Sequence, residues 1–184
     1  MSDQDVQRYG LINVLRAQGR FGWQWGQSSV APLPTGKRKE TINSFLRYIH
    51  RHCGDVTGWT DVLTIRDEVS TYGVLVMGYP KARNLNNDMT LEVNRLALMS
   101  GSPKNSASQL LGRAERIAKA KGYERLISYT LEPEEGHSYK AAGWTLDDHH
   151  TKSQQWDRKN RPRPTIDPDA DIIIHDKKRW SKKI

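Results

Sequence analysis

The apolar positions change period several times along the chain, and each change marks an element. Thr41 can cap a helix whose Ile42, Phe45, Leu46, Ile49 and Cys53 share one face, with Gly54 as the stop. Asp61 to Arg66 and Tyr72 to Tyr79 read as strands, joined by the polar run Asp67-Glu68-Val69-Ser70-Thr71. Pro80 and the stretch from Asn84 to Asp88 break the pattern before a third strand, Met89 to Met99. Ser106 can cap a second helix with Leu110, Leu111, Ala114, Ile117 and Ala118 inward, closed by Gly122. Glu124 to Thr130 is a strand, Gly136 to Ala142 a short helix, and Trp144 begins a last sheet element. Helix, three strands, helix, strand, helix, strand predicts an α/β fold on a mixed sheet.

The ends are less regular. Val6, Leu11, Val14 and Leu15 have helical spacing, weakened by Gly10 and ended by Gly19. Phe21, Trp23 and Trp25 then stand among glycines, as a packed arm or a surface for stacking bases, and Pro32 and Pro34 separate them from the domain proper. The expected organisation is an arm at 1–34, a domain at 35–153 and a basic strap or tail at 154–184. No internal repeat or low-complexity run is present.

Composition adds a bias. Only 36% of the 184 residues are hydrophobic, so part of the chain is expected to be solvated extension. No apolar run reaches the roughly 20 residues of a bilayer span, and the acidic start Met1 to Asp5 lacks an apolar signal region. Both point to a cytoplasmic protein without a membrane partner. The single cysteine, Cys53, excludes an internal disulfide and reads as core. The net charge of +8 points to a polyanionic partner, and residues 151–184 hold ten Lys/Arg against five Asp.

Several residues can carry chemistry. The loop from Gly101 to Ser108 leads a strand into a helix start, where free N–H groups and the helix dipole favour an anion, with Lys104 beside it. An ordinary strand-to-helix turn has the same spacing. Glu92 and Arg95 stand three apart on one strand, which places them on opposite faces, and an ion pair holding the sheet is the bland reading. His50 and His52 lie about 200° apart around the first helix, so they cannot share a metal, and no metal site is expected. His149 and His150 read as an exposed turn. Trp156, Arg158, Arg161 and Arg163 set one aromatic among guanidiniums on a proline-stiffened strap, a mixture repeated from Lys177 to Lys183.

Glu92-Val93-Asn94-Arg95-Leu96, Pro103-Lys104-Asn105-Ser106-x-Ser108, Ser128-Tyr129-Thr130 and Gly136-His137-Ser138-Tyr139-x-Ala141-x-Gly143-Trp144 succeed one another in an order that resembles the GNAT-fold N-acyltransferases. Within them the sequence is similar to a divergent branch of phage and prophage type that contains the Mom DNA-modification proteins. The likeness spans about residues 35–163. It departs from the usual GNAT loop, which carries Gln/Arg-x-x-Gly-x-Gly/Ala where this chain has Pro103 to Ser108.

The resemblance implies a GNAT-like, mostly antiparallel sheet flanked by helices, with a basic C-terminal extension. It implies acetyl-CoA or another acyl-CoA, held at Leu96, Leu98, Lys104, Asn105, Ser106 and Ser108. It makes Glu92 the base that deprotonates an acceptor amine and Tyr139 the acid for the departing thiolate, with Ser138 as a second donor. Arg95 would orient phosphate or stabilise developing charge. His50 and His52 would border the acceptor, and the strap residues Trp156, Arg158, Arg161 and Arg163 would contact it. The expected activity is transfer of an acyl or acyl-derived group to an amino group, with DNA as the expected partner. Acylation of a small amine or a protein side chain, and nucleic-acid binding without catalysis, are the alternatives.

Overall fold

The computed structural model describes residues 38–49, 55–66, 71–151 and 176–184. In chain order these form α1 (Arg38–Ile49), β1 (Asp61–Arg66), β2 (Thr71–Gly78), a 3-10 turn (Arg83–Leu85), β3 (Thr90–Leu98), α2 (Ser106–Ala120), β4 (Arg125–Leu131), α3 (His137–Ala141), β5 (Thr145–Thr151) and β6 (Lys177–Lys183). The six described strands make one sheet in the order β1-β2-β3-β4-β6-β5. Among them β3 and β4 run parallel; the other neighbours are antiparallel. A parallel pair needs a crossover, and α2 supplies it.

The sheet is covered on both faces by apolar side chains placed as the periodicity predicts. On one face Ile42, Phe45 and Leu46 of α1 pack with Val62, Val74, Val76 and Ala97. On the other, Leu110, Leu111, Ala114 and Ala118 of α2 meet Leu63, Leu75, Met77, Leu91, Val93 and Leu126. Tyr139, Trp144 and Trp180 complete that second core. Each fully buried aliphatic side chain contributes about 1.5–3 kcal/mol of transfer free energy, so the two faces carry most of the stability.

One element departs from expectation. Lys177 to Lys183, read from the sequence as part of a basic tail, is β6, and it lies inside the sheet between β4 and β5. Its Trp180 is 1% exposed, and its indole N–H donates to the Thr130 hydroxyl at 3.0 Å. The basic residues on either side of it are half-buried or exposed. A basic strand with one buried tryptophan has the composition of a solvated tail, which is why composition pointed to a tail. Asp147 ties this half together: it accepts from Arg125 of β4 at 2.9 Å and from Arg179 and Ser181 of β6 at 2.6 and 2.5 Å. Residues 1–37 and 152–175, with the expected arm and strap, lie outside the described residues. None of the described helices is long and apolar enough to cross a membrane.

Candidate functional site

The β3–β4 ladder runs from Thr90↔Arg125 to Val93↔Ser128 and stops there. Both strands continue. β3 stays with β2 as far as Leu98↔Gly73, and β4 stays with β6 as far as Leu131↔Lys177. The strands therefore part at Val93 and Ser128, and the backbone groups facing the opened seam lose their cross-strand partners. Leu96 and Leu98 stand on β3 along this seam, half-buried against the α2 side of the core.

A bulge sits at the same point. Arg95 pairs with Val76 and Val93 with Met77, so Asn94 is the extra residue on β3. The bulge overturns one expectation. Gly78 is opposite Glu92 and Val76 is opposite Arg95; positions 76 and 78 share a face, and so do Glu92 and Arg95. Spacing alone put them on opposite faces because it assumed unbroken alternation. The sequence does carry a signal: inward positions move from Leu91 and Val93 to Leu96 and Leu98, an odd-to-even change of phase at Asn94.

Glu92 is 6% exposed and accepts the backbone N–H of Lys81 at 2.9 Å. Burial pushes its carboxyl above the usual glutamate range, against the Lys81 N–H and the positive charges of Lys81, Arg95 and Lys177. A buried carboxylate with raised basicity, fixed by one hydrogen bond, is suited to take a proton.

Tyr139 lies at the vertex of the seam. Its hydroxyl is 2.8 Å from Ser128 Oγ, and Ser128 Oγ is 2.9 Å from the Val93 carbonyl. Only a proton can face that carbonyl, so Ser128 donates to Val93 and Tyr139 donates to Ser128. The tyrosine ring stacks on Trp180 at 5.7 Å and meets Trp144 edge-on at 5.3 Å. Burial pushes the Tyr139 phenol up to about 12. Ser138 is half-buried on α3. The sequence pattern alone assigns Ser128 no role, because only the β3–β4–β6 register brings it under Tyr139.

At the start of α2, Asn105 rather than Ser106 is the cap residue, in the left-handed region at φ 66° with no side-chain cap bond. Ser106 is buried and its hydroxyl turns back to the Pro103 carbonyl at 2.6 Å. The left-handed turn that a glycine would make is thus made by asparagine, which tolerates it better than most residues. Lys104 is exposed beside it, and Ser108 is half-buried in the first turn. The first-turn N–H groups have no side-chain acceptor from the cap, which suits an anion.

The structure brings Glu92, Arg95, Leu96, Leu98 and Tyr139 to one seam. His50, His52, Trp156, Arg158, Arg161 and Arg163 lie outside the described residues, as does Cys53. Among the described residues no group of three or more His, Cys, Asp or Glu is arranged to hold a metal.

A model of the Mom protein family matches residues 40–180. Among solved structures, the chain is similar to a Bacillus subtilis acetyltransferase in complex with CoA, at TM-score 0.53 and 14% identity over 86% of this chain and 98% of that one. It is similar to a GNAT family acetyltransferase from Elizabethkingia anophelis with acetyl-CoA bound, at TM-score 0.51 and 19% identity over 86% and 96%. It is also similar to an IAA acetyltransferase from Bacillus cereus, at TM-score 0.50 and 15% identity over 81% and 85%. No curated protein matches. At these identities the likeness establishes the fold, and the family match spans most of the chain. The chain belongs to the Mom protein family and is built on the GNAT fold.

Proposed function

We propose that this protein transfers an acyl or acyl-derived group from a coenzyme-A-type donor to an exocyclic amino group of a DNA base. The observation that carries the reading is the opened β3–β4 seam, with a buried carboxylate on one side and a hydroxyl pair at its vertex. The sequence resemblance to the Mom DNA-modification proteins favours DNA as the class of acceptor, and the net charge of +8 agrees with it.

The residues present fit a donor of this class. The α2 start, with Lys104 and the first-turn N–H groups, suits a pyrophosphate, and the β3 backbone at Leu96 and Leu98 suits an extended amide arm. When bound, such a donor supplies an activated acyl carbonyl and a thiolate leaving group. Glu92 accepts the proton of the attacking amine. That step counts for more with a base amine than with an alkyl amine, because ring delocalisation makes its lone pair a poor nucleophile. Arg95, on the same face, adds positive charge beside Glu92. Tyr139 holds its proton at every physiological pH, and Ser128 stands between it and the seam. A proton leaving Ser128 for a departing anion is replaced by the one from Tyr139.

Two measurements test this reading. Millimolar acetyl-CoA is expected to raise the melting temperature, and no shift would remove the donor. Mass spectrometry of nucleosides from cells expressing the protein is expected to show a modified base that is lost with Tyr139→Phe. Unmodified DNA from wild-type cells refutes the DNA acceptor.

A further inference from the structure

The bulge residue Asn94 has no part in the chemistry above, and three observations set it beside Glu92 at the opened seam. First, as the extra residue on β3 it stands where the seam opens, between Glu92 and Arg95. Second, its side chain lies on their face of the sheet: a Cβ built on Gly78, opposite Glu92, would meet Asn94 Nδ2 at 3.1 Å. Gly78 therefore leaves the carboxamide its room. Third, the Asn94 Oδ1 atom is buried and has no hydrogen-bond partner among the described residues. A buried carbonyl oxygen left without a donor is costly, and a ligand that supplies the donor removes that cost.

Resting on the acyl-transfer reading, we propose that Asn94 is a positioning residue that selects primary amines. An –NH2 group presents two N–H bonds. Glu92 takes one, and Asn94 Oδ1 accepts the other. The second bond turns the nitrogen lone pair towards the seam and leaves the buried oxygen satisfied. An N-methylated amine has only one N–H to offer, so it must leave either Glu92 or Asn94 unmatched. Its methyl group also meets the buried carboxamide. The site thus rejects acceptors that are already substituted on nitrogen, including a base that has been modified once.

The test uses the full chain, acetyl-CoA as donor, and two oligonucleotides of one sequence, one with unmodified amino bases and one with the same bases N-methylated. Thiol release is measured against oligonucleotide concentration. Wild-type protein is expected to prefer the unmodified oligonucleotide by about tenfold or more. Asn94→Leu, equal in size but without an acceptor, is expected to reduce that preference to below about threefold and to raise KM. Its melting temperature and acetyl-CoA-induced shift should match those of wild type. Asn94→Asp keeps an acceptor oxygen and is expected to restore the preference. If Asn94→Leu does not fold, Asn94→Ala serves in its place. An unchanged preference in the folded variant overturns the role of Asn94 and leaves the acyl-transfer reading standing. No turnover by wild type on either oligonucleotide overturns both.

Discussion

Glu92 is held almost out of water by its own strand and by Lys81, and that placement gives its charge a pH-dependent cost. Its folded-state carboxyl is raised above the unfolded value, so the folded protein binds the extra proton. The contribution of Glu92 to stability is then greatest at low pH and falls as pH rises through the range between the two values. Glu92→Gln, which keeps an acceptor for the Lys81 N–H, should melt higher than wild type at pH 7. The difference should vanish below the ordinary glutamate range, about pH 4.3. Melting curves at both pH values check this; equal melting at pH 7 would show that the carboxylate is not strained. Transfer activity in the same variant should drop by about 10²-fold or more, since a positioned base is worth that much. Asp147 carries the opposite sign. Burial alone would raise its carboxyl, yet the Ser181 hydroxyl and the Arg179 and Arg125 guanidiniums outweigh that and hold it below the usual range. Its contribution is complete at neutral pH and is lost only as pH falls below the aspartate range, about 3.9.

At the scale of elements, α3 is only five residues long, and its position depends on the residue before it. Gly136 has φ 65°, and a Cβ there would lie 2.1 Å from Trp180 Cζ2. Backbone and neighbour both exclude a side chain. Gly136→Ala should destabilise the fold by about 2–4 kcal/mol in urea denaturation, combining left-handed strain with overpacking. It should also disturb the Tyr139–Trp180 stack that places the hydroxyl under Ser128. A loss below about 0.5 kcal/mol would mean that the turn can re-form without the glycine. The helices and first four strands were legible because each has its own apolar period, at Ile42, Phe45 and Leu46 or at Leu110, Leu111 and Ala114. The β3 bulge was only half legible. The phase break at Asn94 was in the pattern, but which partner residue it faces depends on β2.

Across the whole molecule, β6 comes from the far end of the described chain and closes the sheet between β4 and β5. Deleting residues 177–184 should abolish cooperative unfolding, because β5 then loses its one sheet neighbour among the described strands and Trp180 leaves the core. A milder Trp180→Ala change should cost about 3–5 kcal/mol. A truncated protein that still unfolds cooperatively by circular dichroism would show the half-sheet to be dispensable. The basic residues of this strand are thus not a separable tail. Lys177 and Arg179 act on the site's electrostatics from inside the fold, on Glu92 and Asp147 respectively.

By itself the sequence determined the α/β class, the identity and order of most elements, and the stretch from Glu92 to Trp144 that holds the seam. Those come from local periodicity and turn residues, which a single segment expresses without its neighbours. Tertiary structure alone decided three things: that Glu92 and Arg95 share a face, that Ser128 stands under Tyr139, and that the last basic strand enters the sheet. Each of these depends on register between segments far apart in the chain, and a one-residue shift in register moves a side chain to the other face.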